Sequence, residues 1–145
     1  MHKLDDCIFC QIIQGKAPCH LVHEDELTMT VMDIFPVSPG HLLILSKEHF
    51  NDIFDANPAV LAAVAANSVP IAKALLNIVE LDGLGVHQLN RAAAGQTVFH
   101  YHMHLIPRKS GEDIAFLHSR EPGDSQQLAQ LAEQLRRQLQ QQTIN

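Results

Sequence analysis

An α+β fold with a mostly antiparallel sheet is predicted by three observations. Short apolar runs of strand length alternate with turn residues, a long Ala/Leu/Val-rich stretch stands apart from them, and a second helical pattern is confined to the C-terminal tail. With 145 residues, 46% of them hydrophobic, the chain holds apolar material for one core, so a single domain over residues 1–145 is expected.

The elements follow in order. Asp5 or Asp6 is placed to cap a short helix carrying Ile8, Phe9, Ile12 and Ile13, which Gly15 and Pro18 end. Strands are expected over 21–24 and 27–32. The turn residues Asp33, Pro36, Ser38, Pro39 and Gly40 then lead into His41-Leu42-Leu43-Ile44-Leu45, a continuous apolar run that reads as a central strand. Asn57-Pro58 opens the main helix, with Asn at the cap and Pro at the first helical position; it runs to Val79, and Pro70 inside it should kink or split it. Strands near 85–89 and 98–106 are joined by the loop 90–96. From Asp124 to about residue 141, Leu128, Leu131, Leu135 and Leu139 fall at helical spacing on a Gln-rich helix with one apolar stripe to bury.

Composition excludes several function classes. The formal charge is −6 with a pI near 5.9, and no window gathers the lysines and arginines needed to track a nucleic-acid backbone. The segment from Met1 to Cys7 lacks the apolar core of a signal peptide, and no apolar run approaches the length of a membrane span. A cytoplasmic protein that binds neither membrane nor polymeric nucleic acid is therefore expected. Three cysteines, Cys7, Cys10 and Cys19, are an odd number in a reducing compartment, which argues against a disulfide framework and leaves metal binding as the better use of the close pair.

The chemistry concentrates at His100-Tyr101-His102-Met103-His104, followed by Leu105-Ile106-Pro107-Arg108. In a strand, three imidazoles at every second position share one face. A histidine-rich exposed face would not run into a core-grade Leu-Ile pair. A single shared metal ion is also a poor use of all three, because His100 and His104 would sit about 13 Å apart along the strand.

The segment Gly95-Gln96-Thr97-Val98-Phe99 through the three histidines to Arg108 resembles the signature of the histidine-triad (HIT) superfamily. So, in the right order, do Cys7-Ile8-Phe9-Cys10, Asp33-Ile34-Phe35-Pro36, Pro39-Gly40-His41 and Lys47-Glu48-His49. The resemblance spans about residues 5 to 108, and these blocks together are far more specific than H-x-H-x-H alone. It implies a HIT-like fold: a five-stranded, mostly antiparallel sheet with a long helix and additional short and C-terminal helices.

It also implies a nucleotide hydrolase or transferase acting at the α-phosphate of a nucleoside monophosphate conjugate, such as a purine nucleoside phosphoramidate. His102 would be the nucleophile, forming a transient nucleotidyl-imidazole. A neutral imidazole attacks phosphorus without a metal, provided its other nitrogen donates to a fixed acceptor, for which a backbone carbonyl is expected. His104 and His41 match the remaining pocket histidines, which contact phosphate oxygens and help protonate the leaving group. Gly95, Gln96 and Thr97 match the segment that holds the α-phosphate and leaving group. Asp33 matches the ribose-binding carboxylate, although it also suits a turn. Ile8, Phe9, Ile12, Val31, Met32 and Ile34 match the base pocket.

Two positions depart from the pattern. Leu89 stands where an Asn contacts phosphate or ribose, with Asn90 as a substitute if the loop shifts by one, and Arg91 stands where a glycine is common. Cys7, Cys10, His49 and His100 match a structural Cys2His2 zinc site, which would staple the N-terminal helix to the sheet. A homodimer pairing through the main helix and the strand near 85–89 is implied as well. Three other readings stay open: a diadenosine polyphosphate hydrolase, a zinc hydrolase using the histidine strand as an open metal site, and a nucleotide-binding adaptor with little turnover.

Overall fold

A computed structural model describes residues 5–112 and 121–144. Its centre is a five-stranded antiparallel sheet in the order β1-β2-β3-β5-β4. The strands are β1 (Leu21–Glu24), β2 (Thr28–Met32), β3 (Leu42–Ser46), β4 (Gly83–His87) and β5 (His102–Arg108), with helices α1 (Ile8–Ile13), α2 (Pro58–Ile78) and α3 (Ser125–Ile144). The α+β expectation and the count of five strands are borne out. Residues 1–4, 113–120 and 145 lie outside the described residues, so the expectation of one domain over the whole chain is not carried to them.

Strand alternation divides the chemistry from the packing. Thr28, Thr30, Met32, Leu42, Ile44, Met103 and Leu105 share one face, and Met32, Leu42, Ile44 and Leu105 join the main core with α2 and α3. Met29, Val31, Leu43, Leu45, His102 and His104 share the other, where Phe9 of α1 completes a smaller cluster. The register sets Val31 beside Leu43, Leu43 beside His104, and His104 beside His87, one row across four strands.

The main helix behaves as its cap predicts. Asn57 Oδ1 accepts from the Ala59 amide at 3.0 Å, and Val60, Val64, Ile71, Ala74 and Leu75 form one buried stripe. Fully burying a side chain of the Val/Leu/Ile class contributes roughly 1.5–3 kcal/mol, so this stripe anchors the helix. Pro70 does not split it: α2 is continuous from Pro58 to Ile78. Pro70 and Ala66, whose carbonyl loses its partner there, are both exposed, so the break in the ladder falls on the solvent side of the helix.

At 21 residues α2 is also long and apolar enough, by length and composition alone, to cross a membrane. This corrects the expectation that no run approaches that length; alanines, weakly apolar one by one, make up the difference. The tail helix buries Leu128, Leu135 and Leu139 as expected, adds Ala132, and leaves Leu131 half-buried.

Strand boundaries moved where side chains pull the backbone out of the ladder. The expected helix cap at Asp5 or Asp6 is instead Cys7, extended at φ −91°, ψ 122°, with its Sγ 3.5 Å from the Cys10 amide. His41 precedes β3, because its amide closes a turn on the Ser38 carbonyl at 3.1 Å. The strand expected over 85–89 lies two residues earlier, since Asn90 Oδ1 accepts from the Ile53 amide at 2.7 Å and draws the chain away from the sheet. The strand expected over 98–106 runs from His102 to Arg108. His100 is therefore not on it, and its ring turns towards Cys7 and Cys10.

Candidate functional site

Two buried histidine clusters share the sheet face under α1. In the first, Cys10 Sγ lies 3.3 Å from His49 Nδ1 and 3.6 Å from His100 Nδ1, Cys7 Sγ lies 3.5 Å from His100 Nδ1, and the two Nδ1 atoms are 3.1 Å apart. Bond lengths of 2.0–2.1 Å to nitrogen and 2.3 Å to sulfur give a tetrahedral ion N···N edges of about 3.3 Å and N···S edges of about 3.6 Å. The measured edges fit that ion.

The outer partners fit as well. His100 Nε2–H donates to the Ser46 carbonyl at 2.6 Å and His49 Nε2–H to Asn51 Oδ1 at 3.0 Å. Each leaves a lone pair on Nδ1, and the two lone pairs face each other inside the protein, an arrangement that calls for a cation between them. Burial, with the nearby His49 and His102 charges adding to it, pushes His100 down to about 4, which keeps the ring in its ligating neutral form at neutral pH.

The second cluster begins at His102. Its Nδ1–H donates to the His100 carbonyl at 2.7 Å, so in the neutral ring Nε2 keeps the lone pair. The expected acceptor, a backbone carbonyl, is the one observed. Phe9 stands edge-on to this ring with centroids 5.0 Å apart.

His104 Nδ1 lies 3.0 Å from His41 Nε2, and His41 Nδ1 accepts the Val37 amide proton at 3.0 Å. An amide can only donate, so His41 carries its proton on Nε2. That proton points at His104 Nδ1 and at Asp33 Oδ2, 3.3 Å away. His104 accepts it and in turn holds its own proton on Nε2. Asp33, His41 and His104 have the spacing of a metal-ligand set. The Val37 amide argues against that use, because Nε2 of a neutral His41 has no lone pair to give.

These rings edge a cavity of about 410 Å³ lined by Ile8, Phe9, Ile12, Met32, Asp33, Ile34, Thr97, His102 and His104, which brings together most of the residues singled out from the sequence. Asp33 does double duty: Oδ1 accepts from the Phe35 amide at 2.8 Å, the turn role, while Oδ2 approaches His41. Ala17, Pro18, Cys19, Phe35, Leu43 and Val98 also line the cavity and were not foreseen. Alternation would have found Leu43, two residues beyond His41; the segment 17–19 carries no periodic signal.

Four expected contacts do not line it. His41 is fully buried, in contact with His104 and Asp33. Gln96 Oε1 accepts from the Arg91 amide at 2.5 Å, and its Nε2 donates to the carbonyls of Asn51 at 2.6 Å and Val98 at 3.2 Å, so the side chain braces the loop. Asn90 ties that loop to Ile53 and to Gln88. Gly95 supplies the turn before Gln96 at φ +104°, where an added Cβ would meet Leu89 Cδ1 at 3.3 Å. A larger cleft of about 600 Å³ between β1, α2 and α3 holds, among the described residues, no comparable cluster of nucleophilic or ligating groups.

Comparison with known proteins gives the lineage. Residues 14–111 match the HIT domain. The protein hit of Bacillus subtilis is 42% identical over 109 residues, covering 74% of each chain. The adenylylsulfatase HINT3 of Arabidopsis thaliana is 39% identical over 105 residues, which span 72% of this chain and only 53% of that one. The crystal structure of a zinc-bound histidine triad family protein from Mycobacterium smegmatis superposes with a TM-score of 0.84 at 34% identity, covering 96% of both chains. With the order of motifs, the sheet and these matches in agreement, the chain belongs to the HIT domain family.

Proposed function

We propose that the protein cleaves nucleoside monophosphate conjugates at the α-phosphate through a nucleotidyl-His102 intermediate, with a purine nucleoside phosphoramidate as the preferred substrate class. The observation that carries this reading is the tautomer of His102, whose Nδ1–H is tied to the His100 carbonyl at 2.7 Å, which places the lone pair of the neutral ring on Nε2. The base would lie among Ile8, Phe9, Ile12 and Ile34, and the ribose hydroxyls against Asp33.

Attack of His102 Nε2 on phosphorus breaks the bond to the leaving amine, which takes the proton held on His104 Nε2. The His41 Nε2–H, directed at His104 Nδ1, keeps that proton on the substrate side. Water then adds to the α-phosphorus, the P–N bond to His102 breaks, and a water proton returns to His104. Gly95, Gln96 and Thr97 position the phosphate, Gln96 by bracing the loop. No metal is assigned to this chemistry. A zinc ion would be held by Cys7, Cys10, His49 and His100, tying α1 to the chain that leads into β5, in a structural role.

The same reading includes a cytoplasmic homodimer. Its support is that β4 is an edge strand with Val86 exposed, beside an α2 that exposes Val69 and Leu76. Sedimentation returning only a 16.1 kDa species would remove the dimer.

The reaction is tested by mass spectrometry of the His102 peptide after rapid mixing with adenosine 5′-phosphoramidate. An adenylate adduct on the wild type and none on His102→Ala is expected. Nucleotide binding with neither adduct nor turnover would replace the enzyme with an adaptor.

A further inference from the structure

Helix α1 is six residues long and serves two sites at once. Its N-cap Cys7 and its buried Cys10 turn their sulfurs to His100, and Cys10 also to His49. Ile8, Phe9 and Ile12 line the cavity beside His102 and His104. Helical spacing permits the division, because positions 7 and 10 fall on one side of the turn and positions 8 and 12 on another. Phe9 stands between the sites, its ring edge-on to His100 with centroids 5.8 Å apart and edge-on to His102 at 5.0 Å.

A helix this short is not stable alone, so what it touches decides whether it stays docked. One anchor is Phe9 against Met29, Val31, Leu43 and Leu45 of the sheet. The other is the thiol pair, whose partners come from outside the helix: His49 follows β3 and His100 precedes β5. The main core lies on the opposite face of the sheet with α2 and α3, and among the described residues it takes none from α1. Undocking of α1 is therefore a local event that leaves the main core in place.

We propose that α1 couples the two sites: a zinc ion on Cys7, Cys10, His49 and His100 and a nucleotide in the cavity each favour the docked helix, so each tightens the binding of the other. This rests on the zinc and nucleoside positions proposed for the two clusters, and not on the covalent step at His102. The physical basis is a shared ordering cost. Whichever ligand binds first holds the helix, and the second finds it already in place. The metal site thereby regulates nucleotide affinity without touching a substrate atom.

The test measures the affinity of the full chain for adenosine 5′-monophosphate by equilibrium dialysis, after loading with zinc and after removal of zinc by a chelator. Zinc removal should weaken the nucleotide roughly tenfold or more, and the nucleotide should strengthen zinc retention against the chelator by the same factor. Hydrogen exchange read by mass spectrometry locates the change. Amides of residues 7–14 should lose protection when zinc is removed and regain part of it with saturating nucleotide, while those of α2 stay protected throughout. His49→Asn removes a ligand that lies outside α1 and should reproduce both the zinc-free affinity and the zinc-free exchange pattern. Equal nucleotide affinity with and without zinc overturns the proposal, as does weaker affinity with unchanged protection of residues 7–14. Loss of α2 protection together with that of α1 overturns it too, because the whole fold would then be the coupled unit. A chain that takes up no zinc, or that binds no nucleotide when loaded, overturns it through one of its two sites. Coupling without any His102 adduct supports the proposal and overturns the nucleotidyl reading alone.

Discussion

His100 and His102 are two residues apart, both buried and both in contact with Phe9, yet they are opposite tautomers. His100 donates from Nε2 to the Ser46 carbonyl and turns Nδ1 towards two thiols and a second imidazole. His102 donates from Nδ1 to the carbonyl of His100 itself and keeps its lone pair on Nε2. The side chain is the same; the carbonyl each ring meets decides which nitrogen remains, and the remaining nitrogen decides what the ring can do. The backbone of one cluster thus sets the protonation state of the other.

The comparison breaks most visibly at His102. On the proposed nucleotidyl-His102 reaction, in which the residue is nucleophile rather than support, His102→Ala should lower kcat by about 10⁴–10⁶-fold while the thermal transition is retained. His100→Ala should act the other way round, through stability and metal content, and equal kinetic effects of the two substitutions would restore the open-metal-site reading. The next effect in size belongs to the thiols. Cys10→Ser should abolish a stoichiometric zinc content measured by atomic absorption and destabilise the domain by roughly 2–5 kcal/mol, read from denaturant unfolding. Zinc-free wild type with unchanged stability would undo the structural assignment.

His41 sharpens the comparison on the catalytic side. Without its Nε2–H, His104 is free to change tautomer, so His41→Asn should reduce phosphoramidate turnover roughly a hundredfold and shift the acidic limb of the pH–rate profile. A loss with no change in that profile would make His41 a packing residue. The smallest effect is at Arg91, the one non-glycine residue with a positive φ among the described residues, at φ 74°. Both Arg91→Gly and Arg91→Ala remove the guanidinium and differ only in backbone freedom, so the glycine variant should be the more stable by about 1 kcal/mol in urea unfolding. Equal stabilities would mean that the loop relaxes and stores no strain.

Much of this architecture was legible beforehand because it rests on local rules. The Asn57-Pro58 cap, the apolar run after Gly40 and the leucine stripe of the tail each carry their signal within a few residues. The boundaries were less legible where a side chain has a distant partner: Asn90 on Ile53 shortened β4, and His100 on the thiols delayed β5. Arg91 stood out as a departure in the sequence, but its strain did not, because φ is not written in a residue type.

By itself the sequence determined the inventory: an α+β chain, a C-x-x-C pair, alternate histidines and the order of motifs that marks the family. Tertiary structure alone decided that Cys7, Cys10, His49 and His100 converge, that the Val37 amide sets the tautomer of His41, and that Gln96 braces a loop instead of lining the cavity. Those outcomes depend on hydrogen bonds with sharp limits of distance and angle, which only the folded chain brings within reach.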